Sequence, residues 1–195
     1  KDVNKLCITC QLFGTVHEGK SYQGNVSISD VLLKNSPIES RRWRREWVVL
    51  SSPKPRHRAF YGQSNKRKVY HHQPGRRQIG SERPLPRVSP KIQRLVEIAP
   101  AGSEFVFDVE FKGLTDTQLN LLLYALFLEP GMAHKVGGSR PLGAGSSKIS
   151  VEKIMITDGK AKYTGEGVKV FEGQAALDYI AKRTEKLLTD QSETM

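Results

Sequence analysis

Short runs of apolar and β-branched residues recur along the chain, several of them alternating with polar residues, and this pattern predicts β-strands. Four strands are predicted, over residues 24–34, 95–98, 105–111 and 148–156. In the third strand the large apolar residues occupy every second position, so they should share one face of a sheet. These residues are Phe105, Phe107, Val109 and Phe111.

Two other segments have a helical pattern. Thr115-Asp-Thr-Gln118 is a capping box, which predicts a helix over 118–128 that ends before Pro130. This helix is apolar on nearly every side, so we expect it to be buried. A second, amphipathic helix is predicted over 171–188. The order of strand, strand, helix, loop and strand is typical of an α+β, ferredoxin-like domain, in which helices cover one face of an antiparallel sheet.

Residues 35–94 interrupt this pattern, since they contain seven of the ten prolines and little periodicity. Two short aromatic runs, 58–62 and 67–71, are predicted to pair as a hairpin. The many aromatic residues argue against a purely disordered segment. We therefore predict one domain over 1–160 with a basic insertion at 35–94, and a C-terminal helical extension over 161–195.

Positive charge is concentrated in the same segment. The chain has 31 Lys and Arg against 20 acids, but 16 of these basic residues and only two acids lie within 41–94. Such a local excess favours a polyanionic partner, nucleic acid first and an anionic membrane second. The alternative is a solvated, partly disordered insertion whose charge is incidental. The residues predicted to contact RNA here are Arg41, Arg42, Arg44, Arg45, Arg67, Lys68 and Tyr70, and those able to stack on unpaired bases are Trp43, Trp47, Tyr61 and Tyr70.

Several classes of protein are excluded by composition. No apolar run approaches the roughly 18 residues needed to span a bilayer, and no signal-peptide pattern is present. Two cysteines are too few for a disulfide framework, which suits a reducing cytoplasm. The chain opens at Lys1 and leads directly into a motif, which is typical of a piece of a longer protein.

A glycine-rich loop, H-K-V-G-G-S-R-P-L-G-A-G-S-S-K at 134–148, follows the apolar helix. Its glycines can adopt positive φ and leave backbone amides uncovered, and amides combined with cations are suited to hold phosphate oxygens. A helix precedes the loop and a strand follows it, which is the reverse of nucleotide-binding loops and favours binding to a polymer backbone. The alternative is a turn whose glycines only permit tight packing. The candidate binding residues are Lys135, Gly137, Gly138, Ser139, Arg140, Gly143, Gly145, Ser146 and Lys148.

Two residue pairs have spacings associated with metal or acid–base chemistry. Cys7 and Cys10 form a C-x-x-C, which is half of a tetrahedral zinc site, with a redox-active or unliganded pair as the alternative. His17 is the nearest further ligand in the chain. His71 and His72 are adjacent, so on a strand they would point to opposite faces and would not share a site.

Three motifs in a fixed order carry a family resemblance. They are C-I-T-C-Q-L-F-G at 7–14 with G-N-V-S-I-S-D at 24–30, R-K-V-Y-H-H at 67–72, and A-H-K-V-G-G-S-R-P-L-G-A-G-S at 133–146. Together they resemble the RAMP superfamily of CRISPR-associated proteins. The similarity is greatest to backbone subunits of type III effectors, including domains of fused single-protein effectors.

The resemblance implies a ferredoxin-like, RRM-like core that packs along a guide RNA (crRNA) in an antiviral ribonucleoprotein. Its partners would be crRNA, target RNA and other effector subunits or domains of the same polypeptide. It also implies zinc on Cys7 and Cys10, with further ligands just upstream, and a structural position for Asp30. We expect an RNA-binding module without catalytic residues of its own. The first alternative is an RNA endonuclease that cuts either with an aspartate upstream of this chain or with His71 and His72. The second is a basic structural protein with no RNA role.

Overall fold

The computed structural model describes residues 6–51, 72, 78–157 and 167–192. Within these residues the α-helices are α1 (Ile8–Phe13), α2 (Asp116–Phe127) and α3 (Gln174–Ser192). The strands are β1 (Thr15–His17), β2 (Lys20–Tyr22), β3 (Val26–Ile28), β4 (Leu32–Asn35), β5 (Arg44–Val49), β6 (Gln93–Ile98), β7 (Glu104–Val106), β8 (Val109–Phe111), β9 (His134–Lys135), β10 (Ser146–Ser147), β11 (Lys153–Thr157) and β12 (Val168–Glu172). Short 3₁₀ helices lie at Ser40–Arg42, Pro90–Ile92 and Arg140–Leu142.

The strands of the described segments pair only in twos and only antiparallel, as β1–β2, β3–β8, β4–β7, β5–β6, β9–β10 and β11–β12. This mixture of helices and antiparallel strands agrees with the predicted α+β class. The chain divides into two compact units. The first contains described residues 6–29, 108–132, 148–157 and 167–192, and the second contains 30–51, 72, 78–107 and 133–147.

The first unit is built around α2, whose predicted capping box is confirmed. The Gln118 amide donates to Thr115 Oγ1, and the Thr115 amide donates to Gln118 Oε1 at 2.9 Å, so two amides at the helix start are satisfied. The core cluster joins the buried face of α2 to β11 and α3, and its buried members are Leu119, Leu123, Ile154, Ala176 and Ile180. Burial of this apolar face, rather than helix propensity, therefore holds the unit together.

A polar contact fixes α3 against the start of α2. The Arg183 guanidinium lies 2.6 Å from Asp116 Oδ1 and 5.3 Å from the centre of the Tyr179 ring. The hydrogen bond to Asp116 raises the pKa of Arg183, so the pair stays ionised. The predicted C-terminal helix begins later than expected, at Gln174, because Phe171 belongs to β12 and packs on Tyr179 with ring centres 4.6 Å apart.

Three predicted strands are wrong in extent. The strands predicted over 24–34 and 105–111 are each divided, into β3 and β4 and into β8 and β7. At the break the Ser29 side chain accepts the Asp108 amide at 2.9 Å, so a side-chain bond replaces a ladder bond. Phe105 is consequently 45% exposed on β7, whereas Phe111 packs against the core cluster, so the predicted single aromatic face is not formed. The strand predicted over 148–156 begins only at Lys153.

Candidate nucleic-acid interface

The glycine-rich loop is a narrow hairpin closed by β9 and β10 in the second unit. His134 pairs with Ser147 and Lys135 with Ser146, and the Val136 amide donates to the Gly145 carbonyl at 2.8 Å. The 3₁₀ helix at Arg140–Leu142 forms the tip and ends at Gly143, which has φ +94°. The hairpin therefore returns the chain on itself within a few residues.

The hairpin depends on a glycine at position 145. Its φ is +77°, and a Cβ placed there would lie 1.8 Å from the Val136 carbonyl oxygen. Any side chain would collide with backbone rather than with a movable side-chain end. A Cβ at Gly137 or Gly138 would meet nothing within 4 Å, so these two glycines lie in open space.

The Lys135 side chain points into the hairpin. Its ammonium donates to the carbonyl oxygens of Gly143 and Ala144, at 2.9 and 3.1 Å. Lys135 is half-buried, and this burial lowers the pKa of its ammonium. Two of the three N–H bonds of Lys135 are thus used inside the loop.

The carbonyls that point inward decide where the amides point. A trans peptide is planar, so each carbonyl is opposed in direction to the N–H of the next residue. The carbonyls of residues 143 and 144 face Lys135 and that of 145 faces the Val136 amide, so the N–H groups of Ala144, Gly145 and Ser146 face the other way. These three amides are hereafter called the amide row, and the residue of the third, Ser146, lies in β10 opposite Lys135. Consecutive outward amides form a concavity suited to an anion.

His72 is brought to this loop from the basic insertion. Its Nδ1 lies 2.8 Å from the Ser146 hydroxyl oxygen, and both residues are exposed. The sequence offered the R-K-V-Y-H-H motif as a signal for His72 but no means of pairing it with Ser146, 74 residues away. The polar edge of the amide row therefore carries a hydroxyl and an imidazole.

The other predicted loop residues differ in exposure. Gly137, Gly138 and Arg140 are exposed, and Ser139 is half-buried. Lys148 is exposed and belongs to the first unit. Gly137, Gly138 and Arg140 are therefore accessible to a ligand, whereas Gly143 and Gly145 are half-buried.

Most of the predicted arginines of the insertion already have carboxylate partners. Arg41 Nε lies 2.6 Å from Glu39, Arg44 Nε lies 2.6 Å from Glu46, and Arg45 lies 3.7 Å from Glu97. Within the described ranges Arg42 is exposed and has no such partner. In each ion pair a carboxylate offsets the charge of an arginine and restricts the orientation of its guanidinium group.

The aromatic residues of the insertion are likewise engaged. Trp43 donates from Nε1 to Ser36 Oγ at 3.2 Å and meets the Phe105 ring edge-on, with centroids 6.4 Å apart. Trp47 is half-buried on β5. The predicted contacts Tyr61, Arg67, Lys68, Tyr70 and His71, and the predicted hairpin that contains them, lie outside the described residues.

Glu46 was not predicted as a functional or structural residue from the sequence. It nevertheless connects β5 to the chain at residues 79 and 80 of the insertion. Its side chain is 1% exposed, and Oε2 accepts the amides of Ile79 and Gly80 at 2.8 and 2.7 Å. Oε1 has Arg44 Nε beside it but accepts no well-aligned hydrogen bond. A Cβ at Gly80 would lie 2.3 Å from the Trp47 carbonyl oxygen, so the returning chain runs against β5.

The cysteine pair forms the first turn of α1. Cys7 caps the helix and the two sulfurs are 3.3 Å apart. Hydrogen bonding with the Cys10 backbone, and then with the Cys10 side chain, lowers the pKa of Cys7, which favours the thiolate that zinc binds. The pair therefore fits half of a zinc site. Among the described residues no group of three or more His, Cys, Asp or Glu could hold a metal, and His17 contacts Glu18.

An antiparallel α+β chain that presents a row of backbone amides beside exposed basic residues has the features of a module that binds a nucleic-acid backbone. The sequence model of the RAMP superfamily matches residues 1–148. The chain belongs to the RAMP superfamily, a family of CRISPR-associated RNA-binding proteins, and the resemblance carried by the three motifs is confirmed at this level. No curated protein matches the chain. No helix of the described segments is both long and apolar enough to cross a membrane.

Proposed function

We propose that this chain is the guide-RNA (crRNA) binding backbone module of a type III CRISPR antiviral effector, built on a ferredoxin-like core. The observation that carries the proposal is the amide row at 144–146, which lies inside the region matched to the family. Its partners would be crRNA, target RNA and other effector subunits or domains. The function can be tested by sequencing RNA that purifies with the complete protein from cells with a CRISPR array. Guide sequences should be enriched, and an unselected RNA sample would contradict the proposal.

Backbone amides suit this task because they recognise phosphate and carry no information about bases. A module that holds guides of any sequence needs contacts of this kind, since contacts to base edges would restrict the guide. The amide row would bind phosphate oxygens, and the Ser146 hydroxyl could donate at its edge. Exposed arginines would add attraction of longer range, which weakens as salt screens it.

Neutralising three arginines of the insertion should weaken RNA binding and flatten its salt dependence. The variant is Arg41→Gln, Arg42→Gln and Arg45→Gln, which keeps Arg44 with the buried Glu46. Each phosphate contact to single-stranded RNA contributes about 0.7 to the slope of log K against log salt. We expect the slope to fall by roughly 1–2 in fluorescence titrations over a range of salt concentrations.

A matched variant removes the same charge from the other unit. Lys112, Lys169 and Lys182 are exposed residues of the first unit and were not predicted to bind RNA. Their replacement by glutamine should leave the slope close to that of the wild type. Equal effects of the two triple variants would show that only net charge matters and would contradict a localised contact.

We further propose that Cys7 and Cys10 hold a structural zinc ion together with ligands outside the described residues. Bound zinc would cross-link α1 to those ligands and add to folding stability. The complete protein should contain about one zinc per chain by elemental analysis. Cys7→Ser or Cys10→Ser should lose the metal and lower the melting temperature, whereas His17→Ala should retain both. A complete protein without zinc would rule out the site.

A further inference from the structure

The interior of the glycine-rich hairpin contains the positive charge of Lys135, and the proposed function does not yet assign a role to it. Lys135 was predicted to contact phosphate, but its ammonium donates to the carbonyls of Gly143 and Ala144, at 2.9 and 3.1 Å. We propose that Lys135 is a positioning residue, which holds these carbonyls inward so that the amide row faces the RNA phosphate. This inference rests on the proposed function and assigns the roles within its site.

The first physical reason to assign Lys135 a positioning role is that two carbonyls converge on its ammonium. Both oxygens lie within hydrogen-bond distance of one nitrogen, so the negative ends of two peptide dipoles point at the same place. Without a cation between them these dipoles repel each other and two partly buried acceptors lose their donor. The peptide planes would then turn their carbonyls towards water.

Because each peptide is planar, rotation of these carbonyls would also move the N–H groups that the ligand contacts. Turning the carbonyls of residues 143 and 144 outward turns the N–H groups of Ala144 and Gly145 inward. Two of the three members of the amide row would be lost, although neither residue had changed. Because the Lys135 ammonium binds these two carbonyls, it lies on the side of each peptide opposite to the N–H group.

The competing role, Lys135 as a direct phosphate ligand, makes different demands. A ligand needs an accessible charge, whereas Lys135 is half-buried and spends two of its N–H bonds inside the loop. Arg140 in the same loop is exposed and serves as the comparison for a ligand role.

The experiment compares Lys135→Met, Lys135→Arg and Arg140→Gln in the complete protein. Single-stranded RNA affinity is measured over a range of salt concentrations, and the amide resonances of 144–146 are followed by NMR without RNA. Lys135→Met should weaken binding about tenfold with little change in salt slope, because neutral amide contacts are lost. Lys135→Arg should also weaken binding, since the larger planar guanidinium cannot occupy the same space between two carbonyls. Arg140→Gln should reduce the slope instead.

Two results would overturn the positioning role. One is full affinity in Lys135→Arg, which keeps the charge but not the geometry. The other is a Lys135→Met protein whose amide resonances at 144–146 are unchanged while its salt slope falls by about 0.7. If the wild type fails to bind RNA, the proposed function is contradicted. The role of Lys135 can still be tested in that case, because the amide resonances are measured without RNA. If Lys135→Met does not fold, the affinity of Lys135→Arg still distinguishes a positioning role from a direct phosphate contact.

Discussion

Glu46→Ala should lower the free energy of unfolding by about 2–5 kcal/mol, because two partly buried amides lose the carboxylate as their acceptor and a cavity replaces it. The amides are those of Ile79 and Gly80, which Glu46 Oε2 accepts at 2.8 and 2.7 Å. The loss also leaves Arg44 without its partner at 2.6 Å. Denaturant unfolding followed by circular dichroism measures the change.

Glu97 provides a matched control on the neighbouring strand. It also pairs with an arginine, Arg45, but the distance is 3.7 Å and its side chain is 43% exposed. Exposed pairs of this kind contribute under about 1 kcal/mol, so Glu97→Ala should have a small effect. Similar losses for Glu46→Ala and Glu97→Ala would mean that burial of the carboxylate is not what matters.

A conservative change separates the two interactions of Glu46. Glu46→Gln keeps an oxygen that can accept both amides but removes the negative charge beside Arg44. Its loss should therefore be smaller than that of Glu46→Ala. Combining either change with Arg44→Gln in a double-mutant cycle gives the coupling energy of the pair. A coupling energy near zero would show that the short Arg44–Glu46 distance carries no stabilisation.

Gly145→Ala should weaken RNA binding by tenfold or more, which corresponds to at least about 1.4 kcal/mol. The added Cβ would lie 1.8 Å from the Val136 carbonyl oxygen, so the hairpin has to open. Opening breaks the 2.8 Å bond between the Val136 amide and the Gly145 carbonyl. The amide row then loses its shape. Affinity for single-stranded RNA at one fixed salt concentration measures the effect.

The same loop contains two graded controls. Gly138 has open space around it and no left-handed φ, so Gly138→Ala should bind RNA as the wild type does. Gly137 also has open space but has φ +86°. Gly137→Ala should therefore have only one cost, the backbone energy of a left-handed φ for alanine, which is about 1–2 kcal/mol. Wild-type affinity in Gly145→Ala, or equal losses in all three variants, would contradict the structure of the hairpin.

Where local chemistry decides structure, the sequence was a sufficient guide. The capping box depends on Thr115 and Gln118, which are three residues apart, and it forms as predicted, although α2 starts at Asp116 rather than at 118. The apolar pattern of α2 predicted its burial, and the order of three motifs indicated the family that matches residues 1–148. The α+β class follows from the same local patterns.

Elements that depend on distant partners could not be predicted in the same way. β5 was missed because a buried carboxylate, Glu46, occupies a position where an alternating pattern requires an apolar residue. The predicted strands 24–34 and 105–111 were too long because a serine side chain, Ser29, replaces the ladder bond at Asp108. Both departures come from polar groups satisfied by residues far away in the chain.

The sequence by itself determined that this chain is a RAMP protein with a glycine-rich loop, since motif spacing and backbone freedom are written in consecutive residues. Only the tertiary structure decided what each loop residue does. Lys135 points to the carbonyls of Gly143 and Ala144, and His72 lies beside Ser146 across 74 residues. The direction of a side chain depends on which acceptors the folded backbone places within its reach, and no local pattern contains that information.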